Sequence, residues 1–166
     1  MTWQELNAYD RVEFVAALGW IFEGSPWVAE RAWDRRPFSG VDQLHATMTR
    51  VVTEAATAEQ LALLRAHPDL GVRAKMSAAS AGEQQGAGLD RLTPDEFDRL
   101  QRLNAEYKET FGFPFLFAVK GSTKHDVLAA LERRSQAAPE QEFDEAMRQV
   151  GQIARFRLEE LIRPVS

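Results

Sequence analysis

The sequence predicts an all-α, single-domain bundle of about eight helices over residues 1–166, with one extended apolar segment at 113–119. Three observations carry that expectation. Apolar residues recur at three- and four-residue spacing along most of the chain, and helix-start signals precede nearly every such stripe. No internal repeat or low-complexity linker marks a domain boundary.

The elements follow in order. Thr2-Trp3-Gln4-Glu5 has the capping-box form, in which hydroxyl and carboxylate satisfy the open N–H groups of a first turn. Asp10 can cap a second helix carrying Phe14, Val15, Leu18, Ile21 and Phe22. Ser25-Pro26-Trp27 reads as an N-cap with proline at the first helical position, opening a helix that ends before Pro37. Val41, Leu44, Met48, Val51 and Val52 form the next stripe. Thr57-Ala58-Glu59-Gln60 is a further capping box, leading through Leu61 and Leu64 toward His67. Thr93-Pro94-Asp95-Glu96 opens a long helix with Phe97, Leu100, Leu103, Asn104, Tyr107 and Phe111 along one side, and Gly112 supplies a left-handed C-terminal cap. A helix from about Ser122 uses Val127, Leu128 and Leu131. The last starts near Pro139, carries Phe143, Met147, Val150, Ala154 and Leu161, and stops before Pro164.

Composition removes several function classes. Lys+Arg 20 against Asp+Glu 25 leave a net charge of −5 with no clustered basic face, which argues against nucleic acid and anionic membranes as partners. The absence of cysteine excludes disulfides, a thiol nucleophile and thiolate metal sites. The N-terminus lacks a signal-peptide pattern, no apolar run reaches membrane-spanning length, and Arg163-Pro164-Val165-Ser166 is no peroxisomal signal. A cytoplasmic location is the expectation.

The chemistry concentrates between Arg65 and Leu89. Proline disfavours the α conformation at the residue before it, so the helix approaching His67-Pro68 should stop near Ala66 and leave the imidazole at its end. A histidine there can exchange a proton near neutral pH, or it can serve as a surface or capping group. Glu83 and Gln84 sit among Gly82, Gly86 and Gly88, which permit close backbone approach to a ligand. Ser80-Ala81-Gly82-Glu83 is also a capping-box pattern, so Glu83 has a structural reading beside the chemical one. Phe113 to Val119 is either a buried strand or core-plugging loop, or a pocket wall whose backbone groups face a ligand. Stepping along the last helix keeps Arg157 on the apolar face and puts Arg155 on the polar one. A buried guanidinium needs a partner, either a carboxylate such as Glu106 or Glu109 or an anionic substrate. His45 and His125 read as structural, Lys120 and Lys124 as a solvated loop, and Trp20, Trp27 and Trp33 as core. No metal site is expected, because no His-x-x-x-His or Glu-x-x-His pair occurs.

Several motifs in a fixed order resemble the 2-oxo-4-hydroxy-4-carboxy-5-ureidoimidazoline (OHCU) decarboxylases, which form S-allantoin at the end of urate degradation. They are Phe22-Glu23-Gly24-Ser25-Pro26-Trp27-Val28, Ala66-His67-Pro68-Asp69-Leu70, Ser80-x-x-Glu83-Gln84 with Gly88-Leu89, Asn104-x-x-Tyr107, Phe111-Gly112-Phe113-Pro114-Phe115 and Ile153-Ala154-Arg155-Phe156-Arg157-Leu158. The resemblance implies an all-α homodimer that uses no metal or organic cofactor. It makes His67 and Glu83 the catalytic pair. It implies substrate contacts from Pro68, Ser80, Gln84, Arg157 and the backbone of Phe115, Leu116, Phe117, Ala118 and Val119. Side-chain contacts do not transfer to that last segment, whose sequence varies across the family. A non-enzymatic helical interaction module and a ureide-binding protein without turnover are the competing classes, separated from the enzyme by whether S-allantoin forms faster than spontaneously.

Overall fold

A computed structural model of the chain describes residues 1–71 and 78–162. Among these residues the protein is all-α, with nine helices and no strand. The chain forms two compact units, one made of Met1–Ala66 with the chain from Gly151 onward, the other of His67–Val150.

The first unit holds α1 (Trp3–Ala8), α2 (Arg11–Leu18), α3 (Trp27–Trp33), α4 (Val41–Glu54) and α5 (Thr57–Arg65). Thr2 and Asp10 close capping boxes with Glu5 and Glu13. α3 packs on both α2 and α4. Phe14, Leu18, Val28, Leu44, Met48, Leu63 and Leu64 are fully buried, each such large side chain contributing about 1.5–3 kcal/mol. Phe14 and Phe38 stack with centroids 6.1 Å apart.

Three local expectations are corrected here. α2 ends at Leu18, a turn early, with Gly19 as its C-cap. Ile21 and Phe22 nonetheless stay 1% and 2% exposed, pointing inward from a turn rather than from a helix face. Ser25 does not cap α3; its hydroxyl donates to the Glu23 carbonyl at 2.9 Å and Pro26 occupies the cap position. α5 begins at Thr57 itself, so Ala56 is the N-cap and only the Glu59 half of the box forms, its carboxylate accepting from the Ala56 N–H at 3.3 Å.

The second unit holds α6 (Ala78–Gly86), α7 (Pro94–Phe111) and α8 (Lys124–Arg134), and α9 (Pro139–Leu161) begins in it and ends in the first. Thr93 and Thr123 close capping boxes with Glu96 and Asp126, and Gly112 caps α7 at φ 80°. α7 packs on α8, burying Leu100, Tyr107, Val127 and Leu131. Residues 114–119 break the helical pattern as expected, and of the readings left open the strand does not form: the segment is neither helix nor strand. α6 is the helix beyond the expected eight. Its sequence, AASAGEQQG, has no apolar stripe to announce it. On α9 the buried line runs through Glu142, Ala146, Val150, Ala154 and Leu158, with Arg157 beside it; Phe143, Met147 and Leu161 are half-buried. The stop ascribed to Pro164 lies outside the described residues.

Candidate active site

His67 directly follows Ala66, the C-cap of α5, so the helix stops where the His-Pro step requires. Its side chain is 7% exposed, which removes the surface-group reading. The residues after it are pinned within the second unit. Asn104 on α7 donates through Nδ2 to the Leu70 carbonyl at 3.0 Å, and Lys108 pairs with Asp69 at 2.9 Å. Gly71 takes φ 76°, and a Cβ there would sit 2.3 Å from Leu100 Cδ2, so both conformation and space demand glycine. The Gly71 N–H donates to Gln84 Oε1 at 2.9 Å, which docks α6 against the turn that carries His67.

α6 then determines what faces inward. Ser80 and Gln84 lie four apart on one helical face and are 5% and 6% exposed. Glu83, one step round, is half-buried. Because α6 starts at Ala78, Ser80 lies inside the helix rather than at its cap, and the capping-box reading of Glu83 loses its basis. An imidazole at a helix end, a hydroxyl, a carboxylate and a carboxamide thus belong to one unit whose parts are hydrogen-bonded to each other. That set can hold a small polar molecule and move protons on it. No group of three or more His, Asp or Glu suited to a metal ion occurs among the described residues. None of the described helices is long and apolar enough to cross a membrane.

The family model for OHCU decarboxylase matches residues 7–159. The chain belongs to the OHCU decarboxylase family. It is 45% identical over 164 residues to the 2-oxo-4-hydroxy-4-carboxy-5-ureidoimidazoline decarboxylase of Halalkalicoccus jeotgali, covering 99% of this chain and 93% of that protein. The Haloferax volcanii enzyme of the same name is 49% identical over 160 residues, covering 96% and 95%. Among solved structures, (S)-allantoin synthase superposes with a TM-score of 0.82 at 37% identity, over 98% of this chain and 54% of that one, so this chain spans about half of its length. An OHCU decarboxylase crystallised in the presence of (S)-allantoin shares the fold, with a TM-score of 0.72 at 21% identity over 92% and 98%.

Of the residues that the OHCU decarboxylase resemblance singles out, His67, Pro68, Ser80, Glu83, Gln84 and Phe115 to Val119 all fall in the second unit. Arg157 belongs to the first, on α9. It is 2% exposed, as its helical phase predicts, whereas Arg155 is partly exposed and pairs with Asp42 and Glu159, each at 2.6 Å. Neither Glu106 nor Glu109 is the Arg157 partner. Glu23 is, at 2.9 Å, and Arg157 Nη1 also donates to the Trp20 carbonyl at 3.1 Å. Glu23 is the acid that sequence reasoning passed over. Its signal was present: a carboxylate between Phe22 and Gly24, in a stretch that turns inward, cannot be buried without a cation. His45 is structural, its Nε2 lying 2.8 Å from the Gly151 carbonyl oxygen, and the His125 side chain is 74% exposed.

Proposed function

We infer that this chain is a carboxy-lyase that converts 2-oxo-4-hydroxy-4-carboxy-5-ureidoimidazoline to (S)-allantoin, closing urate degradation without a cofactor. The observation that carries the reading is the docking of α6 onto the His67 turn through Gln84 and Gly71, which gathers the acid–base and amide groups of the family pattern into one unit. Residues 1–166 act as one functional domain, since the family match runs through both units. The net charge of −5 fits a cytoplasmic enzyme acting on a free small molecule, and the family pattern fits a homodimer.

The chemistry follows from the substrate. The carboxylate sits on a ring carbon beside a C=N bond, so the electron pair of the breaking C–CO2 bond can enter that conjugated system, and no separate electron sink is required. The carbon bearing the hydroxyl becomes a carbonyl when the hydroxyl proton leaves. A proton delivered to one face of the ureido-bearing carbon then creates the S configuration. His67 and Glu83 are the groups for these two transfers, with His67 the principal acid–base residue. Gln84, Ser80, Pro68 and backbone groups of 115–119 hold the ring and ureido arm, and Arg157 takes a carbonyl or carboxylate. General acid–base catalysis is worth about 10²–10⁴-fold, so orientation must supply much of the rest.

The test is to supply freshly generated urate-oxidation products and follow (S)-allantoin by circular dichroism. The chain should accelerate decay and accumulate one enantiomer. His67→Ala should lose turnover by at least about a hundredfold while its far-UV spectrum and melting are nearly unchanged. Full activity in that variant removes the histidine from the mechanism, and allantoin binding without turnover by the parent chain identifies a ureide-binding protein instead.

A further inference from the structure

The segment at 113–119 has no secondary structure of its own, yet it is held by two side chains that the decarboxylase reading does not use. Arg134 on α8 donates through Nη1 to the Leu116 carbonyl at 2.5 Å, and its guanidinium lies 4.6 Å from the centroid of the Phe115 ring. Gln149 on α9 accepts from the Ala118 N–H at 2.8 Å.

Each of these side chains is itself aimed by a carboxylate. Glu142 Oε1 accepts from Arg134 Nε at 2.8 Å and pairs with Nη2, and it also accepts from the Tyr107 hydroxyl. Arg134, Glu142 and Tyr107 are 6%, 1% and 0% exposed, so the group is closed to water. Burial, and then the bond to Glu142, push the Tyr107 phenol well above its ordinary pKa, which keeps it a donor. Gln149 Nε2 donates to Glu145 Oε1 at 2.9 Å, and that fixes the amide orientation, turning its oxygen toward Ala118.

We propose that Arg134 and Gln149, oriented by Glu142 with Tyr107 and by Glu145, are positioning residues that hold the backbone of residues 115–119 in register for the substrate. The proposal rests on the decarboxylase reading and deepens it. Leu116 C=O and Ala118 N–H are committed to protein partners, and Val119 C=O is committed to the Ser122 N–H at 2.9 Å. The peptide groups of Phe117, between the two latches, make no hydrogen bond among the described residues. Arg134 and Gln149 thus engage the residues on either side of Phe117 and leave its own peptide groups for a ligand. A loop without its own hydrogen-bond ladder keeps a fixed path only if something external holds it.

The experiment uses the full chain and freshly generated OHCU. Gln149→Met keeps the side-chain length and removes the acceptor. Arg134→Lys keeps the charge against Glu142 and removes the fork that reaches Leu116. Both should lower kcat/KM by about tenfold or more, because small misplacements of a bound substrate are costly in rate. Both should also lower the excess of (S)-allantoin at saturating enzyme, with Tm within about 3 °C of the parent. A merely structural role would not move the product handedness. Should Arg134→Lys fail to fold, Gln149→Met decides alone. Unchanged kcat/KM and handedness, within about twofold, overturn the proposal, as does a loss of activity that only tracks a lowered Tm. An inactive parent chain overturns the decarboxylase reading and this one together, whereas an active parent with unaffected variants overturns this one alone.

Discussion

Arg134 and Arg157 are both almost fully buried, at 6% and 2% exposure, and each faces a buried carboxylate, yet the two regions are built differently. In the second unit, Arg134 meets Glu142 from only eight residues away, and Glu142 simultaneously takes the Tyr107 hydroxyl. Its Nη1 reaches the Leu116 main-chain carbonyl, so the guanidinium is held by the scaffold on both sides. In the first unit, Arg157 meets Glu23 from the opposite end of the chain, with the carbonyls of Trp20 and Ile21 on the same Nη1. Residue type and burial are therefore poor guides to what an arginine does. The partners separate a guanidinium that props up a loop from one that the family pattern assigns to substrate.

Breaking each pair from its acidic side should expose that difference. The largest effect belongs to Glu142→Leu, which strands the Arg134 charge and the Tyr107 hydroxyl together and should cost about 3–5 kcal/mol in urea denaturation. A loss under about 1 kcal/mol would mean that Arg134 finds water in the folded chain. Glu23→Leu should cost less, about 2–3 kcal/mol, because Arg157 keeps the Trp20 and Ile21 carbonyls. Equal losses in the two variants would mean that both arginines depend on their carboxylates alike. The smallest effect concerns a half-buried pair of the second unit. Lys124, bonded at 2.6 Å, and then the Thr93 N–H hold the Glu96 carboxyl at about 2, below its ordinary 4.5. A depressed folded-state pKa gives stability that is complete above the unfolded value and lost as pH falls through the folded one. Lys124→Met should therefore flatten the decline of Tm between pH 4.5 and 2; an unaltered acid limb would place the sensitivity in other carboxylates.

Much of the helical frame was legible because its signals are local. The capping box at Thr2, the cap at Asp10, the helix start at Thr93, the Gly112 cap and the His-Pro stop each depend on three or four neighbouring residues. The same locality explains the failures. Thr57 and Ser25 carry cap chemistry, but the helices start one or two residues away from where those side chains would act. α6 was missed because its inward face is Ser80 and Gln84, and a polar face with glycines around it has no hydrophobic period to detect.

By itself, the order of residues determined an all-α chain, the place where the helix before His67 must end, and the inward phase of Arg157, since each depends on backbone sterics or on the 3.6-residue turn. Only the tertiary structure decided that Glu23 answers Arg157, that Gln84 ties α6 to Gly71, and that Arg134 and Gln149 grip the loop at 115–119. Those are pairings between groups far apart in the chain or out of helical phase. A buried charge or amide announces that it needs a partner, but which group meets that need is settled by packing.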